Sequence, residues 1–423
     1  MTDDVALLLR RSGFGPTAAE LTAARRTGFA QAVSALVAPA GPDLGASASP
    51  VPDLGPDPYD GLDDADQAAW EAASRAREQQ TLRLTRWWLD RMSVADHQVR
   101  EKLVFFWHGH WATSIRKVIR PSLMLRQHQT LRASADVRTL AHRMVRDPAL
   151  IFWLDGQLND HRSANENFGR ELMELFLLGI GAYTERDVKE AGRALTGWRI
   201  DYASGTSVLV RRSHDDGVKT ILGRSAAFGA DDLVDLLLDR PECPRFIAAR
   251  LWHRYASSQR PVPADVRESM AAAFPDPVAM LRVLFTSAAF ADSAGELVKQ
   301  PVEWLVGAVR QLGIRPGGWD DRTTGQVLYS MDRLGQVPFA PPSVGGWPAG
   351  ANWLTPGTAQ ARLGLANRIL VGMPSLPSLN PESLANLLTI DTWTNRTYAG
   401  LREVTDQLQL LLLGLASPEY LVT

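Results

Sequence analysis

Between Thr17 and Leu415 the chain is written almost throughout in helical periods, each bounded by a capping residue or a glycine, and the period changes only between residues 198 and 222. A chain so patterned packs helix on helix. Thr17 caps a helix to about Leu36, and a longer one spans about Asp66 to Met92 with Leu82, Trp87, Trp88 and Leu89 as apolar contacts. Ser93 offers a cap for a helix from Val94 to Trp107. Further helices read at about 120–133, 136–147, 148–156, 230–240, 244–257, 263–274, 277–288, 300–313, 322–335, 357–371, 381–389 and 401–415. In the exceptional stretch, Trp198–Tyr202, Val208–Val210 and Val218–Ile221 are short and β-prone, parted by turn residues, and predict a small antiparallel β-hairpin or three-stranded insert. Residues 38–62, rich in Pro, Gly, Ala and Asp, predict a flexible loop, and 336–355 a Pro/Gly/Trp loop. The expectation is a mainly α, multi-helical single globular domain over residues 1–423, with a β insert near 198–222.

Composition narrows the function. At 423 residues the chain can bury a large core, and 22% charged residues suit a soluble protein. A net charge of -2 gives no drive toward nucleic acid or anionic membrane. The apolar run Val5–Leu9 is too short for a signal-peptide core and has Arg10-Arg11 after it, not before, so the chain as written is expected in the cytoplasm; export of a trimmed precursor is compatible with the same residues. No window has the length of a membrane span. The single cysteine, Cys243, excludes an internal disulfide. There is no P-loop, no G-x-G-x-x-G after a strand, no G-x-S-x-G and no H-E-x-x-H, so no nucleotide or organic cofactor is indicated.

The richest chemistry lies in Asn165-Glu166-Asn167-Phe168-Gly169-Arg170-Glu171-Leu172-Met173-Glu174-Leu175. Ser163-Ala164-Asn165-Glu166 reads as a capping box for this helix, and Gly179 as its terminator. Helical spacing puts Asn167, Glu171 and Glu174 on one stripe and Phe168, Leu172 and Leu175 on a core face. Glu166, Arg170 and Glu174 are spaced for two i,i+4 ion pairs, which is the plain structural reading; the functional one makes Asn167, Arg170, Glu171 and Glu174 a buried catalytic or metal-binding group. In Phe105-Phe106-Trp107-His108-Gly109-His110-Trp111, Gly109 would end the helix and let His108 and His110 converge on a cation such as Zn, Fe or Mn. The plainer reading has each histidine bonded to a backbone carbonyl inside an aromatic cluster. His214 and Asp215, in His214-Asp215-Asp216-Gly217, could complete a cation site or simply form a turn. Trp347 and Trp353 could wall a glycan site or cover the core.

These residues resemble the family known as domain of unknown function 1800. The resemblance runs nearly end to end, through Leu9–Pro16, Phe106–Trp111, Asp147-Pro148-Ala149, Trp153-Leu154-Asp155, Asn165–Leu175, Leu195–Trp198, His214-Asp215, Pro341–Pro348 and Leu415–Tyr420. Where the family has alanine before the central arginine, Gly169 stands here, and it would open space beside Arg170. The resemblance implies a mostly helical fold and no established activity. Relatives that look exported and lie beside sulfatase-like proteins imply such a protein as a partner.

The function expected is metal-assisted hydrolysis or group transfer on a small molecule or glycan. Glu171 and Glu174 would serve as metal ligands or acid/base groups, Arg170 would bind an anionic substrate group, and His108, His110, His214 and Asp215 would complete a site for a divalent cation. Two alternatives stand beside it: a scaffold or partner protein whose polar motif is a sealed network, and a glycan-binding module with Trp347 and Trp353 exposed side by side.

Overall fold

Helices begin where side chains satisfy the free N–H groups of their first turns. In the computed structural model, which describes residues 3–63, 66–373 and 375–423, Asp66 accepts from Ala69 N–H at 2.9 Å and starts Gln67–Val94. Thr184 and Asp187 form a reciprocal capping box for Glu185–Ala194. Helices Pro121–Ala133, Ala230–Leu238, Glu242–Tyr255, Pro277–Phe285, Pro301–Gln311 and Asp321–Arg333 follow the periodic segments closely. Their apolar faces meet in one contiguous cluster running from Val5 to Leu421, so the chain is mainly α-helical around a shared core. Among the described residues no helix is long and apolar enough to cross a membrane.

The differences have local causes. The helix expected from Thr17 to Leu36 is two, Ala18–Thr27 and Phe29–Val37, because Gly28 adopts φ +82° between them. Ser93 is no cap: the preceding helix runs on to Val94, and the next spans Gln98–His110. The last expected helix is split into Asn395–Arg402 and Gln407–Ala416, with Asp406 capping the second. The β insert is two separate antiparallel hairpins. In one, β1 (Trp198–Asp201) pairs with β2 (Thr206–Leu209), Trp198 opposite Leu209; in the other, β3 (Lys219–Ile221) pairs with β4 (Arg224–Ala226). Segment 38–62 is held in place instead of hanging free. Trp87 Nε1 donates to Ser49 O at 3.1 Å, Gln80 Nε2 to Leu54 O at 2.7 Å, and Asp57 pairs with Arg120.

The loop at 336–355 closes over the Gln98–His110 helix. Phe339 N–H donates to His108 Nε2 at 3.1 Å, Trp347 stacks on Phe105 with ring centroids 5.5 Å apart, and Trp353 is buried. A Cβ on Gly346 would lie 2.3 Å from the Gly109 carbonyl oxygen, so loop and helix touch backbone to backbone there. Trp347 and Trp353 therefore do not form the exposed pair that a glycan-binding module would need.

Candidate functional site

The central motif enters its helix through a turn, not a capping box. Buried Asn159 accepts from Asn165 N–H at 2.8 Å and donates to Gly192 O at 2.9 Å, which fixes the chain just before the helix. Asn165 Oδ1 then accepts from Asn167 N–H at 2.9 Å, and the α-helix is only Asn167–Glu171. From Leu172 to Leu177 the coil widens to a π-helical turn, and Leu178 and Gly179 N–H both reach Met173 O. Gly179 ends it at φ +82°, as the sequence led one to expect. The space expected beside Gly169 is filled: a Cβ there would lie 2.8 Å from Gly192 N, so the two glycines let neighbouring helices make backbone contact.

This geometry divides the motif's polar groups. Arg170 pairs with Glu166 at 2.8 Å, one of the two i,i+4 pairs expected, but its other partner is Glu185 at 2.8 Å and not Glu174. The widened turn carries Glu174 away, and its Oε2 accepts from Tyr183 O–H at 2.6 Å. Burial and then that hydrogen bond hold the Tyr183 hydroxyl well above its ordinary range. Glu171 is half-buried without a hydrogen bond; burial first and Glu174 second raise its pKa. Asn167 Nδ2 donates to Leu154 O at 3.3 Å.

The two histidines do not converge, since the helix continues through Gly109 and residues two apart point to different sides. His108 lies between Trp88, Phe339 and Trp347 and accepts from the Phe339 N–H. His110 lies 2.9 Å, through Nε2, from Phe176 O in the π turn. With a carbonyl as partner, Nε2 carries the hydrogen and Nδ1 is a bare lone pair, buried and without a partner. Burial pushes both imidazoles down to about 3, Arg250 adding to the effect on His110. His214 and Asp215 stand elsewhere: His214 Nδ1 lies 2.9 Å from Thr196 O, and Asp215 pairs with Arg193 at 2.7 Å. Among the described residues no three His, Cys, Asp or Glu side chains gather closely enough to hold a metal ion, so the full set of His108, His110, Glu171, Glu174, His214 and Asp215 is not one site.

Two of these residues do meet. His110 and Glu174 line a cleft of about 700 Å3 between the π turn, the Glu242–Tyr255 helix and Val344-Gly345. A smaller recess of about 80 Å3 adjoins it, sharing His110, Arg250, His253 and Gly345 and adding Arg254, Gln300 and Trp347. The charges around the cleft are mostly paired: Arg245 with Glu268, Arg260 with Glu296, Glu242 with Arg240. Arg250 is the exception, with neither hydrogen bond nor ion pair among the described residues and an Nε that is buried and unsatisfied. Burial lowers its pKa, and Arg250 and Arg254 in turn help burial depress that of His253. Arg250 and His253 were not singled out from the sequence. The trace there is a run of basic residues, Arg245, Arg250, His253 and Arg254, on a helix that is apolar elsewhere past Glu242.

The model of the family described as protein of unknown function (DUF1800) matches residues 7–422, and the chain belongs to that family. No curated protein and no solved structure matches it. His110, Glu174 and Gly345 thus come from three of the segments on which the resemblance rests, and they line a single cavity.

Proposed function

We propose that this chain is an enzyme of the hydrolase or group-transfer kind, acting on a small polar molecule in the cleft of His110, Glu174 and Arg250. The observation that carries this is the convergence of three segments distant in sequence on one cavity of about 700 Å3, beside an arginine that no carboxylate neutralises. Sites of this size with a few convergent polar groups are where ligands bind. Glu174 is the acid/base group, its orientation fixed by the Tyr183 hydroxyl. Glu174 opens onto a cavity instead of lying sealed, which favours an enzyme over a scaffold.

A second reading is favoured by one contact. An imidazole that donates one N–H to a backbone carbonyl and leaves its other nitrogen free is supported in the way metal-bound histidines are. His110 has that arrangement through Phe176 O. In this form His110 Nδ1 and Glu174 would be two of the groups that hold Zn, Fe or Mn, and such a cation would supply Lewis-acid activation of water.

The test is turnover of chromogenic phosphate, sulfate and carboxylate esters and glycosides by the full chain and by Glu174→Gln, with and without added Zn, Mn or Fe. Loss of a general acid/base lowers the rate by about 10²–10⁴-fold, and that loss is expected in the variant. A substrate turned over equally by both proteins sinks the proposal. Elemental analysis of the same samples separates the two forms: near-stoichiometric metal that disappears in His110→Gln selects the metal-assisted one.

A further inference from the structure

The recess beside the cleft has an unusual lining. Its polar side chains are Arg250, Arg254, His110, His253, Gln300 and the indole of Trp347, and among the described residues no aspartate or glutamate lines it. Arg250 has no hydrogen-bond or ion-pair partner among the described residues. Trp347 Nε1–H is buried and unsatisfied. Gln300 Oε1 accepts from Gln336 Nε2 at 2.6 Å, which leaves the Gln300 NH2 edge uncommitted. Arg254 is balanced from behind by buried Glu303 at 3.3 Å, so the excess positive charge comes from Arg250. Unpaired buried donors are costly, and Arg250 and Trp347, which line this one small space, each carry one, which a common acceptor would relieve.

We infer that this recess is an oxyanion subsite: it receives the terminal anionic group, phosphate, sulfate or carboxylate, of the molecule that occupies the cleft, with Arg250 as its principal contact and Trp347 Nε1–H as a second donor. A volume of about 80 Å3 accommodates one such group in place of a few water molecules. The planar guanidinium gives two parallel N–H groups to an oxyanion, and in a poorly solvated recess such contacts are strong. The aromatic floor of Phe105 and Phe106 limits hydration of the bound group. That this group belongs to the substrate rests on the reading of the cleft as the reaction site; the binding of the anion itself does not.

The experiment is calorimetric titration of the full chain with sodium sulfate, phosphate and acetate, at constant ionic strength held with chloride. Saturable binding at one site per chain is expected for at least one of them, and the preferred ion tells a tetrahedral group from a planar carboxylate. Arg250→Met, which keeps the aliphatic stem, should weaken it by about tenfold or more, and Trp347→Phe, which removes the indole N–H but keeps an aromatic ring against Phe105, by about threefold. Thermal midpoints of both variants confirm that they fold. No saturable binding, or affinity unchanged in folded Arg250→Met and Trp347→Phe, overturns the subsite. Glu174→Gln, outside the recess, should still bind the anion while losing turnover. Anion binding absent with turnover still dependent on Glu174 overturns the recess and leaves the cleft. Anion binding present with turnover indifferent to Glu174 does the reverse.

Discussion

Between about pH 6 and pH 4 three buried histidines, His108, His110 and His128, less the opposing Asp147, should lower this protein's stability by about 3 kcal/mol per pH unit, a slope of two protons from these four groups. Burial holds His108 and His110 down to about 3 and His128 well below its ordinary 6.5. In that window the unfolded chain binds a proton at each of the three and the folded chain does not, so acid favours unfolding. Asp147 opposes them. Burial raises it from 3.8 to about 6, so the folded state takes up a proton that the unfolded state lacks, and one of the three is cancelled. Glu303, held at about 2 by Arg254 and Lys102 against its own burial, adds to the loss only below about pH 4.5. Urea unfolding at half-unit steps from pH 7 to 4 measures the slope. His128 is the control: neither of its nitrogens has a hydrogen bond, and its ring packs on Trp87, Trp88 and Phe339. His128→Phe should remove about a third of the histidine contribution. A flat profile from pH 6 to 4 would mean that water reaches these rings.

Glu303→Gln should destabilise the fold by about 3–5 kcal/mol, the largest effect expected of a single isosteric change. Glu303 lies 2.7 Å from Lys102 Nζ and 3.3 Å from Arg254, all three side chains under 10% exposed. Lys102 also donates to Arg11 O at 2.7 Å and sits 5.3 Å from the centre of the Tyr255 ring. The amide keeps the shape but leaves two buried cations without a counter-charge. The sign of the pH response identifies the cause. Burial already brings Lys102 down from 10.5 to about 8, so its folded state sheds a proton sooner than its unfolded state and stability grows as pH rises toward 10. Without Glu303 that gain should be larger, and the variant should recover part of its deficit between pH 7 and 9. An equal deficit at both pH values would point to lost packing instead of stranded charge.

Much of the fold was legible because helix ends are local events. Asp66 and Gly179 act as their positions in the sequence led one to expect. The errors fall where a local signal had a competitor. Ser163 and Glu166 have capping-box spacing, yet Asn159 and Asn165 take the backbone N–H groups of that approach first. Gly28 breaks a helix that apolar spacing alone continues. The π turn was invisible because a widened turn leaves apolar periodicity almost intact, yet it gives Glu174 to Tyr183 and the cleft instead of Arg170. His110 and Glu174 were both found as polar residues in aromatic or acidic company; His108, His214 and Asp215 carried the same signal and form separate contacts with Phe339, Thr196 and Arg193. Arg250 could not be found that way. What marks it is the lack of a partner, and that is a property of the assembled neighbours.

Ligands of this protein are proposed to bind among His110, Glu174, Arg250 and the Val344–Trp347 loop. A crystallographic fragment screen of the full chain tests this most directly. A competing cavity is at hand, about 340 Å3 and mostly apolar, between the helices Asp4–Ser12, Ala18–Thr27 and Phe29–Val37. Polar and anionic fragments should gather in the cleft and its recess, with an oxyanion on Arg250. Fragments found repeatedly in the apolar cavity, with the cleft empty at the same concentrations, would contradict it.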